Sequence, residues 1–485
     1  MFRTKWNIVI LCVISTSIIL SIVIIEIDHV LTLNSFKKVN GDGLEENRIF
    51  WVYNYEGDVY YQANARLLGI GKYCYIYMDE QCINQLGGEE SIKTKTIKIY
   101  NEFDNTIYPR IIDLAGHPNG SLGDIDGDPR IFILFSDSHN YYFEGNEIKY
   151  NYSNHCEMFY INYRFYEPTH ERWLYPTIAH EFHHLIWFNN EWDEPPFTLE
   201  ALAQYATYHA GYLDSYNNLV PQVAAYLPYP DNSPIYWNND QDYGSTYLFA
   251  FYIAEKYGVQ ILRDLIKEDS DGPNGIEAVL EKAGYPISFN ELFMNWVTAI
   301  TIDKLGFYSD LYGFTGLDVQ ISNYEVVNTL PIINKTTSIN HYAFHIYKLV
   351  FIPDNFTITV NKSPEMALGV VIAAHDSTGW HVQQNLHYEE ENTVTDTFYA
   401  LDIDEAYVIT SYISKSTPIA PEERGSDSSP GSSIEIKVTL TEEAQEKKGT
   451  TEKTTAAFTS IGSSLIILIV SFLVLTRRIK ISEKQ

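Results

Sequence analysis

The sequence predicts an α+β protein, with a mixed α/β part, a helical part and an all-β sandwich in that order between apolar segments near the two ends. Three patterns indicate this order. Short aromatic and β-branched runs alternate with a helical pattern over 46–165, helical periodicity dominates over 166–315, and short alternating runs occupy 316–440. A chain of 485 residues is also long enough for more than one domain.

Apolar segments near both ends predict contact with a membrane. Residues 1–45 contain an apolar run at 8–25 after two basic residues, which is typical of a signal peptide or an uncleaved signal anchor. Residues 456–476 are long and apolar enough for a transmembrane helix, and a basic tail, 477–485, follows. The positive-inside rule then predicts a cell-membrane protein whose bulk is extracellular and whose C-terminal tail is cytoplasmic.

The formal net charge of -30 restricts the partners of the folded body. Nucleic acid is not expected as a partner, because binding to phosphates requires Lys and Arg side chains that neutralise them. The same charge disfavours contact with anionic lipid head groups. We therefore expect the membrane to be reached through the terminal helices alone.

In the α/β part, YCYIYM and RIFILF predict strands, and ESIKTKTIKIYNEFDNTIYPRII between them predicts a helix. Cys74 and Cys82 flank a short segment at the first of these strands. In an extracellular chain, two such cysteines are expected either to form a disulfide or both to be free thiols, and the sequence leaves both alternatives open.

The stretch GDIDGDP places Asp124, Asp126 and Asp128 at alternate positions before the RIFILF strand. Spaced carboxylates on a tight turn suit an oxygen-seeking cation, Ca²⁺ above all. A complete twelve-residue calcium loop would end in a glutamate, and position 135 is Phe135. An Asp- and Gly-rich turn accounts for the same residues and is the interpretation we favour, with a calcium site as the alternative.

The segment TIAHEFHHLIWFN, residues 177–189, contains the pattern H-E-x-x-H at His180, Glu181 and His184. A four-residue step along a helix turns about 400°, so both histidines project from one face and can share a tetrahedral Zn²⁺. Glu181 lies about 100° round the helix, beside the metal, where it can take a proton from water. Apolar periodicity, with Pro176 near a first-turn position, predicts the helix. A solvated polar face is the alternative.

Glu200 is the candidate for a third zinc ligand. A catalytic zinc requires three protein ligands and an open position for water. TLEALAQY predicts a second helix with Glu200 in its first turn, and the fifteen residues between His184 and Glu200 allow the chain to reverse. The alternative is a first-turn glutamate that is stabilised by the helix dipole.

HEFHH followed by LEALAQY resembles the gluzincin metallopeptidases, in which a glutamate on the next helix is the third zinc ligand. A longer resemblance, over about 120–300, is to the hyicolysin-type and related secreted peptidases; it extends from DIDGDPRIFILF to YGSTYLFAFYIAEKYG. The resemblance implies a zincin-like fold for the catalytic part, one Zn²⁺ held by His180, His184 and Glu200, and hydrolysis of peptide bonds.

The same resemblance implies a Tyr or His donor to the oxyanion from a later helix. Tyr243 falls at the matching place and is the candidate catalytic tyrosine, with a packing or surface tyrosine as the alternative. Tyr247 and His209 are weaker candidates, since a step of nine residues along a helix places His209 on the face opposite Glu200.

Short alternating runs such as FTITVN and SIEIKVTL predict the sandwich, and the polar stretch 441–455 predicts a stalk before the membrane helix. These features together predict a membrane-anchored extracellular zinc endopeptidase that acts on proteins or peptides, with Glu181 as general base. The sandwich would be available for a surface ligand. The alternative is a catalytically inactive surface-binding or adhesion protein on the same scaffold.

Overall fold

A helical layer joins two groups of β-strands in the computed structural model of the chain. The structure describes residues 46–442 except 56, 119–123, 143–150, 192, 214–220, 238, 240, 304–310, 320, 351–354, 400–401 and 421–433. The observed architecture is mixed α and β, in the order that the sequence predicts. Both apolar terminal segments and most of the predicted stalk lie outside the described residues.

Six strands form an N-terminal sheet. They are β1 (Asn47–Asn54), β2 (Val59–Ile70), β3 (Cys74–Asp79), β4 (Ile131–Ser136), β5 (Tyr141–Tyr142) and β6 (Met158–Asn162). Their order is β1-β2-β3-β4-β6-β5, with parallel pairing from β3 through β4 to β6 and antiparallel pairing elsewhere. All residues of β3 and β4 are buried, which explains their nearly continuous apolar sequences, since parallel strands are covered on both faces.

The helix predicted over 90–112 is formed by α2 (Glu89–Glu102) and α3 (Tyr108–Ala115), which a π-helical turn, Phe103–Ile107, joins. A short helix that the sequence does not predict, α1 (Glu80–Gln85), precedes them. Within that turn, Asp104 accepts hydrogen bonds from the backbone amides of Lys72 at 2.6 Å and Tyr73 at 2.9 Å. This contact ties the helical segment to the connection between β2 and β3.

Seven helices occupy the described middle of the chain. They are α4 (Glu171–Asn190), α5 (Pro196–His209), α6 (Pro221–Tyr226), α7 (Gln241–Tyr257), α8 (Val259–Leu265), α9 (Gly272–Lys282) and α10 (Phe289–Ile302). The predicted helices coincide with α4, α5, α7, α9 and α10. Helices α6 and α8 contain six and seven residues, too few for helical periodicity to be visible in the sequence.

Two facing sheets form the C-terminal sandwich. The strands are β7 (Glu325–Val327), β8 (Ile332–Ile339), β9 (Phe344–Leu349), β10 (Asn355–Asn361), β11 (Ala367–Asp376), β12 (Gly379–His387), β13 (Thr393–Tyr399), β14 (Glu405–Ile413) and β15 (Ile434–Glu442). One sheet has the order β13-β10-β15-β8 and the other β12-β11-β14-β9-β7. Burial alternates strictly along β10, as expected for an outer sheet with one solvated face.

The five-stranded sheet is covered on both faces. Val370 and Ile372 of β11 point into the core between the two sheets, whereas Val371 and Ala373 belong to the core that they share with the helices. Gly369 allows α10 to approach this sheet, since a Cβ atom there would lie 2.6 Å from the Met294 sulfur. The sandwich is therefore joined to the helical part by a continuous apolar core.

Of the two alternatives left open for Cys74 and Cys82, the structure has the free thiols and not the disulfide. Both residues, and Cys156, are buried free thiols. Cys74 begins β3 and Cys82 lies beyond its far end, and six strand residues extend roughly 20 Å. A disulfide requires Cα atoms about 4.4–6.8 Å apart. Burial raises the pKa of Cys82 to about 12, so its thiol stays protonated at neutral pH.

None of the helices in the described part of the chain has both the length and the apolar character that crossing a bilayer requires. The predicted membrane segments at 8–25 and 456–476 fall outside that part.

Candidate metal centre

Helix α4 carries the H-E-x-x-H pattern. It begins at Glu171, so Pro176 lies inside the helix and not near a first-turn position as the sequence predicts. One side of the helix is anchored in the core, where the Phe182 ring stacks on that of Tyr108 at 5.5 Å and meets the Phe103 ring edge-on at 5.1 Å. These contacts fix the rotation of α4 about its axis.

The three histidines of α4 lie on two different sides. His183 is completely buried, with its ring 5.8 Å from that of Trp187, and burial lowers its pKa well below the ordinary value. His180 and His184 face the other way, towards α5, with side chains that are 12% and 14% exposed. His183 therefore does not share the face of His180 and His184.

Helix α5 brings Glu200 to the two histidines. The helix begins at Pro196, so Glu200 is its fifth residue and lies beyond the first turn. Its side chain is only 1% exposed. The alternative interpretation of Glu200 as a first-turn residue stabilised by the helix dipole is therefore wrong, because that stabilisation falls off within the first turn.

Three potential ligand atoms converge between α4 and α5. His180 Nε2 lies 3.0 Å from His184 Nε2 and 3.1 Å from Glu200 Oε2, and the third side of the triangle, from His184 Nε2 to Glu200 Oε2, is 3.5 Å. Donors bound tetrahedrally to one zinc ion at about 2.0–2.1 Å lie roughly 3.3–3.4 Å apart. The donor types and their spacing therefore both fit Zn²⁺.

Glu181 and Tyr243 are the two predicted catalytic residues beside these ligand atoms in sequence or in space. Glu181 follows His180 on α4 and its side chain is buried. The ring of Tyr243, near the start of α7, is 6.5 Å from that of His180 and packs edge-on against Trp237 at 4.6 Å. The structure thus groups His180, His184 and Glu200, with the Tyr243 ring beside His180 and Glu181 next to His180 in the same helix.

The start of α7 is held by residues that the sequence analysis did not single out. Asp242 is completely buried and accepts hydrogen bonds from the Asn232 side chain at 2.6 Å and the Asn239 backbone amide at 2.7 Å. Gly244 lies so close to α6 that a Cβ atom would overlap the carbonyl oxygen of Gln222. The sequence signal for this arrangement is the Asn- and Asp-rich stretch before YGSTYLF, because Asn and Asp side chains often cap the start of a helix.

The two weaker candidates for an oxyanion donor lie away from these atoms. His209 pairs with Asp113 at 3.2 Å. Tyr247 is 2% exposed and packs against Phe251, with ring centroids 6.0 Å apart. Both side chains therefore belong to packing and ion-pair contacts outside the centre.

The GDIDGDP residues form a turn, as the favoured interpretation expects: Asp124 Oδ1 accepts from the Gly127 amide at 2.6 Å and Asp126 Oδ1 from the Asp128 amide at 2.9 Å. Their carboxylates have different surroundings. Asp128 forms a two-point ion pair with Arg130, with both N–O distances at 2.8 Å, and accepts a hydrogen bond from the Tyr75 hydroxyl at 2.5 Å. Asp124 and Asp126 instead lie beside Glu157, which the sequence analysis did not select. The predicted grouping of the three aspartates is therefore replaced by two aspartates and a distant glutamate.

No protein-family model matches the chain. Neutral metalloprotease ShpI from Staphylococcus hyicus is 24% identical over 253 residues, which are 45% of this chain and 55% of that protein. The chain thus spans about half the length of this curated relative. It is distantly similar to a metalloprotease, and its described residues contain a candidate His-His-Glu metal centre.

Two solved structures give only weak similarity. The pre-peptidase C-terminal domain of a collagenase from Bacillus anthracis is 13% identical, covering 24% of this chain and 94% of that one, with a TM-score of 0.16. A family GH115 4-O-methyl-alpha-glucuronidase is 7% identical, and the match covers 64% of this chain and 51% of that one, with a TM-score of 0.15. Both TM-scores are too low to indicate a common fold.

Proposed function

We propose that this chain is a zinc-dependent endopeptidase with a zincin-like catalytic part. The observation that carries the proposal is the convergence of His180 Nε2, His184 Nε2 and Glu200 Oε2 within 3.5 Å of one another. Two imidazoles and one carboxylate are a ligand set that catalytic zinc sites use. The distant similarity to a neutral metalloprotease supports the same activity class.

Each residue near the centre has a proposed task. A bound zinc supplies Lewis acidity towards a peptide carbonyl and towards water. Glu181 accepts a proton from the attacking water and transfers it to the leaving amine, a general-base role that its place next to His180 allows. Tyr243 donates its hydroxyl hydrogen to the developing oxyanion, and Trp237 holds its ring at the edge of the site.

The proposal also includes a location and a partner. Anchoring in the cell membrane, with the bulk of the chain outside the cell, rests on the apolar segments at 8–25 and 456–476. A surface ligand for the sandwich is proposed only for its solvated four-stranded sheet, because helices cover the outer face of the five-stranded sheet.

Metal content and hydrolysis of an unfolded protein test the proposal on the purified full chain. We expect about one zinc per chain in the wild type and none in His184→Ala, since two remaining ligands are too few for a stable site. Glu181→Gln should retain zinc and lose hydrolysis by a factor of about 10²–10⁴, because the general base is removed. Glu171→Gln, at the exposed start of the same helix, is the matched control.

Three results would contradict the proposal. Absence of zinc from the wild-type chain would reject the centre, and full hydrolysis by Glu181→Gln would reject the general base. Zinc bound without hydrolysis of any unfolded protein would instead favour an inactive surface-binding protein on the same scaffold.

A further inference from the structure

Glu157 is a buried carboxylate with an unsatisfied oxygen. It directly precedes β6 and is 2% exposed. Its Oε1 atom accepts a hydrogen bond from the backbone amide of Ile125 at 2.8 Å, while Oε2 has no hydrogen-bond partner among the residues that the structure describes. Buried polar atoms are nearly always paired, so an unpaired carboxylate oxygen points to a ligand or ion that completes it.

Two further carboxylates lie beside this oxygen. Asp124 and Asp126 come from the turn before β4, and each of the three side chains offers an oxygen within 4.8 Å of the other two. Burial, with the nearby charges of Asp126 and Asp124, raises the pKa of Glu157 to about 6. The three groups therefore repel one another when all are ionised, and a cation between them would relieve that repulsion.

Protein cations near the cluster do not neutralise it. Arg130 is engaged by Asp128 through two hydrogen bonds of 2.8 Å. Arg48 acts on Asp126 only through its charge, and its guanidinium donates to the Asn154 carbonyl oxygen at 2.7 Å. Four carboxylates and two guanidinium groups leave a local charge of about -2, which matches a divalent cation.

We propose that Asp124, Asp126 and Glu157 bind a Ca²⁺ ion, independently of the zinc centre. Oxygen ligands alone suit a hard cation, and two oxygens on opposite sides of Ca²⁺ can be about 4.6–5.2 Å apart, so one ion reaches all three side chains. Mg²⁺ requires a tighter octahedron and keeps most of its water.

The ion would connect two parts of the sheet that are distant in sequence. It would hold the turn at 124–128, before β4, against the start of β6. Two residues further along β6, the Phe159 ring lies 6.4 Å from that of Phe182 on α4. The calcium site would therefore stabilise the part of the sheet on which the metal-centre helix packs.

Equilibrium dialysis of the zinc-loaded full chain against ⁴⁵Ca²⁺ tests the proposal. We expect about one Ca²⁺ per chain, with a dissociation constant between about 10⁻⁶ and 10⁻³ M. Glu157→Gln keeps the acceptor for the Ile125 amide but lowers the ligand charge, and it should weaken binding by at least about tenfold. Glu90→Gln, an exposed glutamate on α2, is the matched control and should bind as the wild type does.

Asp126→Asn provides a second variant, because its side chain is exposed and its loss should not impair folding. Circular dichroism and zinc content establish that each variant is folded. The proposal would be rejected if the folded wild type bound no Ca²⁺ up to about 10 mM, well above the range of known sites. It would equally be rejected if Asp126→Asn bound like the wild type, or if Mg²⁺ displaced Ca²⁺ at equal concentration.

Discussion

Tyr243 and Glu181 belong to different helices, and each depends on its neighbours for its position. Glu181 is held by the helix whose other side is buried around Phe182. Tyr243 is held by Trp237, whose ring is 4.6 Å away. At the residue scale the site thus combines a buried carboxyl side chain with a partly exposed phenol, the two groups to which the proposed mechanism gives roles.

Tyr243→Phe tests the assigned donor. The substitution removes one hydroxyl and keeps the ring that packs on Trp237, so zinc content and folding should not change. We expect kcat to fall by about 10²–10³, the usual loss for one oxyanion donor, with a smaller change in KM. Steady-state hydrolysis of a peptide substrate measures both constants.

Tyr247→Phe is the control for that experiment, because Tyr247 lies one turn further along α7 and is buried in the core. Its kcat should match the wild-type value. Equal kcat values for Tyr243→Phe and the wild type would show that Tyr243 is a packing residue.

At the scale of elements, the connection between α4 and α5 sets the position of Glu200 relative to the histidines. Glu194 in this connection is buried and accepts a hydrogen bond from the backbone amide of Gly272, at the start of α9, at 2.9 Å. The contact links the metal-centre helices to α9. Burial, with the charges of Asp271 and Asp193, raises the pKa of Glu194 to about 7.

This pKa makes stability depend on pH. Between the ordinary value of 4.5 and about 7, the folded chain retains a proton on Glu194 that the unfolded chain releases. The contribution of Glu194 to the free energy of unfolding therefore falls as the pH rises through this window and is constant above it. Glu194→Gln should lose less stability between pH 5 and pH 8 than the wild type, by up to about 3 kcal/mol.

Urea denaturation at the two pH values measures the difference. Because the charge of Glu194 also helps to raise the pKa of Glu191, Glu191→Gln is measured beside it to separate the two contributions. The glutamine keeps an acceptor for the Gly272 amide. Parallel pH profiles for the two chains would contradict the raised pKa of Glu194.

At the scale of the whole molecule, the helices and the sandwich share one core. Phe344 of β9 is completely buried, with its ring 6.5 Å from that of Trp296 on α10. Tyr342 adds a hydrogen bond of 2.5 Å from its hydroxyl to the Asn290 side chain on the same helix. An interface of this kind couples the unfolding of its two sides, so the sandwich is expected to stabilise the metal centre.

Phe344→Ala should therefore destabilise both parts together, by about 3–5 kcal/mol. Calorimetry should give one unfolding transition, at a lower temperature than in the wild type, and zinc release followed with a chromophoric chelator should coincide with it. Ile333→Ala, which removes a 65% exposed side chain from β8, should change little. Zinc release at an unchanged temperature in Phe344→Ala would show that the two parts unfold separately.

Local patterns were sufficient where a single segment determines the structure. The H-E-x-x-H face of α4, the five longer helices and the alternating strands all follow from periodicities of 3.6 and 2. The π-helical turn at Phe103–Ile107 and the short helices α6 and α8 were not visible, because they span too few residues to establish a period.

By itself, the sequence determined the order of the structural classes and the face of α4 that carries His180 and His184, because both depend on neighbours three or four residues away. Tertiary structure alone decided which distant groups meet them. It placed Glu200 beyond the first turn of its helix and against the two histidines. It also brought Glu157, and not Asp128, to the carboxylates of Asp124 and Asp126, and it kept Cys74 apart from Cys82. Contacts of this kind depend on how the chain reverses and on which side chains become buried. Residues that are far apart in the sequence show no local pattern that would reveal such a contact.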